Sequence, residues 1–132
     1  MKIPIATVVR GYRCNIHTTM EYVFRSEEQW KSVFQEAFPG RSFADHGAGY
    51  DFFAQTLIAV FLGSSPEHSA VKIEEVRENQ DSLEVMVSRN VQKSGTVAWN
   101  PYHIIRVSTT EKPVQFNYQD KPTLTVSDIK KC

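Results

Sequence analysis

Leu57-Ile58-Ala59-Val60-Phe61-Leu62-Gly63-Ser64-Ser65-Pro66 decides the fold. The apolar run has no polar alternate, and Gly-Ser-Ser-Pro closes it, so it reads as a short strand buried on both faces in the middle of a sheet. Upstream, Ser26-Glu27-Glu28-Gln29 supplies an N-cap, acidic first-turn residues and a Ser-x-x-Gln capping box. Trp30, Val33, Phe34, Ala37 and Phe38 then fall on one helical stripe, while Lys31, Ser32, Gln35 and Glu36 face away, and Pro39-Gly40 stops the helix. A helix this short with aromatics on one side is not stable alone in water, so it must lie on an apolar surface.

The remaining segments read as strands and turns. Ile3, Ile5, Thr7 and Val9 alternate at the strand period, Cys14 to Thr19 connects, and Tyr22-Val23-Phe24 is a second β-prone run. Residues Arg41 to Tyr50, with glycines at 47 and 49, predict a long surface loop. Val71, Ile73 and Val76 form a strand whose phase slips at Glu74-Glu75, as a bulge or a strand end would produce. Asn79-Gln80-Asp81 turns the chain into Leu83, Val85 and Val87, completing a hairpin, and Lys93-Ser94-Gly95 marks another turn. Tyr102 to Val107 and then Val114, Phe116 and Tyr118 give the last strands, and the tail 119–132, with weak alternation at Leu124 and Val126, is expected to fray. The fold class expected is α+β: an antiparallel β-sheet of about five to seven strands with one amphipathic helix packed on it, in a single domain over 1–132.

Composition narrows the function classes. With 41% hydrophobic residues and 23% charged ones, the chain resembles an ordinary globular domain rather than a disordered one. Fifteen basic residues balance fifteen acidic ones, so the field lacks the positive bias of nucleic-acid binders and of proteins that seek anionic membranes. The apolar run at Leu57 is far short of the roughly 20 residues that span a bilayer. Met1 to Val9, interrupted by Pro4, lacks the pattern of a signal peptide, which leaves a cytosolic protein or one whose signal has been removed. Cys14 and Cys132 are the two cysteines; a disulfide between them stays open, as does a reactive thiol at the carboxy terminus.

No motif of catalysis stands out. The chain has no Gly-x-Ser-x-Gly, no Gly-x-Gly-x-x-Gly and no Walker-type loop, so neither a nucleophile nor a nucleotide site is expected. Asp45, His46 and Asp51 carry metal-ligating groups, but their spacing matches no metal site, and turn-forming polar residues explain them. His17 and His68 read as isolated loop residues. We therefore expect no enzyme, no cofactor and no metal. The most distinctive string is Ala98-Trp99-Asn100-Pro101-Tyr102-His103, where Pro101 must sit at an edge, a bulge or the start of a strand. Trp99, Asn100, Pro101, Tyr102 and His103 are the candidate partner-binding residues, because Trp and Tyr dominate interface hot spots. Covering the end of the core with their polar tips hydrogen-bonded is the competing role.

Tyr22-Val23-Phe24-Arg25-Ser26 ahead of the helix, Tyr50-Asp51-Phe52 before the run Leu57 to Gly63, the Val71 to Val87 hairpin and Pro101-Tyr102-His103-Ile104-Ile105-Arg106 resemble the PrcB-like family. The resemblance spans about 20–118. It departs at Gly63-Ser64-Ser65-Pro66-Glu67-His68-Ser69-Ala70, where such proteins usually carry a Gly-Gly-Tyr turn. What it implies is an exported, non-enzymatic accessory or chaperone-like subunit beside a protease, with no catalytic residues. The function expected is thus a protein-binding module acting through a sheet edge or the Trp99 to His103 patch. Two alternatives remain: an inhibitor-like domain presenting the loop 41–50 or 63–70, and a small-molecule binder that gathers His46, Asp51 and His103 in one pocket.

Overall fold

A computed structural model describes residues 1–91 and 99–122. The expected turn at Lys93-Ser94-Gly95, Ala98, and the tail positions Leu124, Val126 and Cys132 lie outside the described residues. The elements follow in the order β1 (Lys2–Ile3), β2 (Ala6–Gly11), β3 (Met20–Phe24), α1 (Glu27–Ala37), α2 (Phe43–His46), β4 (Gln55–Phe61), β5 (His68–Glu78), β6 (Leu83–Val91), β7 (Tyr102–Ser108) and β8 (Val114–Pro122).

The strands form two four-stranded sheets, ordered β1-β5-β6-β8 and β2-β7-β4-β3, where the sequence suggested one sheet of fewer strands. All pairs are antiparallel except β6 with β8, which run parallel because the chain visits β7 in the other sheet between them. The second sheet follows from β4 itself. Leu57, Ala59 and Phe61 face the helix α1, while Ile58, Val60 and Leu62 face β5 and β6, so this strand has a covering layer on each side. The result is three layers: helix, sheet, sheet.

Helix α1 forms where its caps predicted. The Ser26 side chain accepts the Gln29 N–H, and the Gln29 side chain reaches back to the Arg25 N–H, one residue earlier than in the simplest capping box. Its buried stripe packs Trp30 against Phe24 and Phe34 against Phe38 and Phe43. The expected loop 41–50 contains the short helix α2, and the buried Trp30 Nε1–H donates to the Gly47 carbonyl at 2.7 Å, which pins that segment to α1.

Other departures have local causes. The alternating run Ile3 to Val9 is not one strand: Ile3 pairs with Val76 in one sheet and Ala6 with Arg106 in the other. Pro4, which has no N–H to give to a ladder, lies where the chain crosses between them. The phase slip expected at Glu74-Glu75 is a register shift between Ile73 and Glu75. Residues 119–122, assigned to a fraying tail, continue β8 beside β6 as far as Pro122.

Candidate functional site

The string Trp99 to His103 divides into buried and exposed parts. Pro101 is buried, and Tyr102 and His103 are each only 3% exposed. Strand alternation sends Tyr102 to the helix side, where its ring meets Phe38 and Phe61, and His103 to the other side, between the sheets. The Ile73 N–H donates to His103 Nδ1 at 2.8 Å, so the neutral ring carries its proton on Nε2, which lies 2.9 Å from Thr7 Oγ1. Burial, followed by the nearby charges of Arg10 and Lys72, lowers the His103 pKa from 6.5 to about 4. These residues belong to the core, whereas Trp99 and Asn100 stay partly exposed.

Around those two the surface is aromatic and cationic. Tyr12 is 54% exposed and meets the Trp99 ring edge-on at 6.2 Å, and the Arg13 guanidinium lies 4.8 Å from the centre of that ring. The backbone below is fixed: Asn100 N–H donates to the Tyr12 carbonyl, and Ser65 and Trp99 form an isolated antiparallel bridge. Cys14 lies beneath, with Sγ 3.7 Å from the Asn100 carbonyl, and burial pushes its thiol pKa up, which leaves it a poor nucleophile. Sequence reasoning passed over Tyr12 and Arg13 because they sit between a strand and a connection, without a periodic pattern.

A second arrangement was also missed. Ser65 Oγ lies 3.0 Å from His68 Nδ1, and His68 Nε2 lies 3.5 Å from Asp120 Oδ1, beside a cleft of about 280 Å³. The residue types are those of a hydrolytic triad. Three neighbouring amides are already engaged: those of Ser64, Ser65 and His68 donate to the His17 carbonyl, the Trp99 carbonyl and Ser65 Oγ. Desolvation works against the Asp120 carboxylate, but the Arg89 side chain, donating at 2.7 Å, and then His68 together hold the pKa below the usual value. These contacts tie the 63–68 loop to the ends of β6 and β8. The signal was invisible in sequence because Asp120 comes from a distant strand.

The other candidates do not assemble. His46 is on α2, which lies on the α1 side of its sheet, Asp51 is in the turn before β4, and His103 points to the opposite face, so they share no pocket. Among the described residues no three His, Cys, Asp or Glu side chains gather as metal donors, and no helix is long and apolar enough to cross a membrane.

Fold and surface together define the class: a helix-covered double β-sheet with a preorganised aromatic surface cluster. Comparison with known protein families, curated proteins and solved structures found no match to this chain.

Proposed function

We propose that this protein is a non-enzymatic protein-binding module that holds its partner at Tyr12, Arg13 and Trp99. The observation that carries the reading is the stack itself: an exposed tyrosine, a half-buried tryptophan and an arginine on one fixed backbone platform. These are the three side chains most enriched at interface hot spots, and a backbone already ordered loses little entropy when a partner docks. The resemblance to PrcB-like proteins makes a protease the class of partner, with this chain as its accessory subunit.

The inhibitor reading has one observation in its favour, the tied loop 63–68. Ser64 and Ser65, however, turn their hydroxyls to Asn100 and His68 rather than outward.

The test is affinity capture from the native cell with wild type and with Tyr12→Ala and Trp99→Ala variants, followed by mass spectrometry and an activity assay of what is retained. A protease held by wild type, lost by both variants and still active when bound supports the accessory reading. A bound protease that is inhibited favours the inhibitor. Capture of nothing, or equal capture by all three proteins, overturns the patch.

A further inference from the structure

Phe53 is 94% exposed, on a turn held by hydrogen bonds. The Asp51 carboxylate accepts the Phe53 N–H at 2.9 Å, and the Asp51 carbonyl accepts the N–H groups of Ala54 and Gln55 at 3.0 and 2.8 Å. An Asx turn thus presents the ring directly ahead of β4. Two clefts, of about 400 and 410 Å³, share Arg25, Phe52 and Phe53 in their walls, so the ring stands between them.

The charges around these clefts are unequal. Exposed Glu27 and Asp51 line the first, and exposed Glu111 lines the second. The cation in both walls, Arg25, is exposed and tied to backbone: Nε donates to the Thr110 carbonyl at 3.0 Å and Nη2 to the Lys112 carbonyl at 2.8 Å. Lys112 Nζ is engaged with the Asn79 carbonyl and Glu78. An apolar knob whose two clefts carry three carboxylates against one guanidinium is complementary to a segment that is itself apolar and basic.

We infer that Phe53 and its two clefts form a docking surface for a short apolar and basic segment of a partner protein. Apolar side chains of that segment pack against Phe53 and Phe52, and its lysine or arginine side chains pair with Glu27, Asp51 or Glu111. The inference does not depend on the Trp99 patch. Phe53 precedes β4 and Ser65, the bridge partner of Trp99, follows it, so the seven-residue strand Gln55–Phe61 puts the surfaces roughly 20 Å apart at about 3.3 Å per residue. A segment docked at Phe53 thus leaves the Trp99 patch uncovered.

The test is selection from a displayed library of random peptides against the intact protein, followed by solution titration of the enriched peptides. Peptides combining Lys or Arg with Leu or aromatic residues are expected, with affinity falling about tenfold or more in Phe53→Ser and severalfold in a Glu27→Lys, Glu111→Lys double variant. Binding should weaken with added salt and persist in Trp99→Ala. Phe53→Ser must keep the wild-type melting temperature, and a drop would make Phe53 structural and overturn the inference. So would enrichment of acidic peptides, no enrichment, or affinity unchanged by Phe53→Ser. Self-association of the wild type in sedimentation, abolished by Phe53→Ser, would replace the partner segment with a second copy of the chain.

Discussion

Arg10 and His103 stand opposite each other across the β2–β7 pair, and both side chains cross to the same rim of β5. Arg10 Nε donates to the Val71 carbonyl at 2.9 Å, and His103 Nδ1 accepts the Ile73 N–H at 2.8 Å. Strand β1 covers β5 only at Val76 and Arg77, so these side chains satisfy backbone groups that a neighbouring strand would otherwise pair. They join the two sheets along one side. On the other side Tyr118 of β8 donates its phenolic hydrogen to Glu21 of β3.

This arrangement makes stability depend on pH. The folded His103 pKa is lowered to about 4 from 6.5, so between those values the unfolded chain binds the proton and the folded one resists it. The stabilisation is fully present above about pH 6.5 and is lost as pH falls toward 4, which amounts to about 2 kcal/mol between about pH 7 and about pH 4.5. Urea unfolding at those two pH values checks it, with His103→Phe expected to flatten the difference while lowering stability at neutral pH, because the Ile73 N–H is left unpaired. A wild type equally stable at both values would refute the link.

Phe34 tests the helix layer. Its ring contacts Trp30, Phe38 and Phe43. Phe34→Ala should destabilise by roughly 3 to 5 kcal/mol in denaturant unfolding, as aromatic truncation does in a packed core. A near-neutral effect would mean that α1 does not rest on the sheet.

Glycine 63 and glycine 49 give a paired comparison. Both have positive φ, +74 and +101, but a Cβ on Gly63 would lie 2.6 Å from the Thr18 carbonyl carbon, whereas around Gly49 nothing lies within 4 Å. Gly49→Ala should cost about 1 kcal/mol through its backbone conformation. Gly63→Ala should cost clearly more, because the His17–Thr19 backbone must also shift. Thermal melts of the two variants rank them.

The legibility of this chain follows the range of its interactions. Helix α1 and strand β4 were readable because a cap, a stripe and an unbroken apolar run are local facts. The division into two sheets was not, since Ile3 and Val9 share a strand period whichever sheet they join, and only Pro4 marks the crossing. A register shift between Thr7 and Val9 further puts Thr7 and Arg10 on one face, against simple alternation. Alternation placed His103 opposite Tyr102, but its partners lie 30 and 96 residues away and had no local sign. Phe53 shows another limit: no pattern in the sequence singles it out, and its exposure follows from the turn at Asp51.

Trp99 and Tyr102 separate folding from binding within the string Trp99 to His103. Tyr102 is buried among Phe38 and Phe61, and a Cβ on Gly11 would lie 2.5 Å from its hydroxyl oxygen, so the ring fills its site to contact. Tyr102→Ala should therefore lower stability by roughly 3 kcal/mol or more and weaken any binding only by unfolding the protein. Trp99 is half-buried, bridged to Ser65, and lies beside exposed Tyr12. Trp99→Ala should cost about 1 kcal/mol and still remove partner capture under conditions where the variant is fully folded. Denaturant unfolding and capture measured on the same two preparations decide the matter. A Trp99→Ala protein that unfolds as readily as Tyr102→Ala would assign Trp99 to the core, and the binding reading would lose the side chain at its centre.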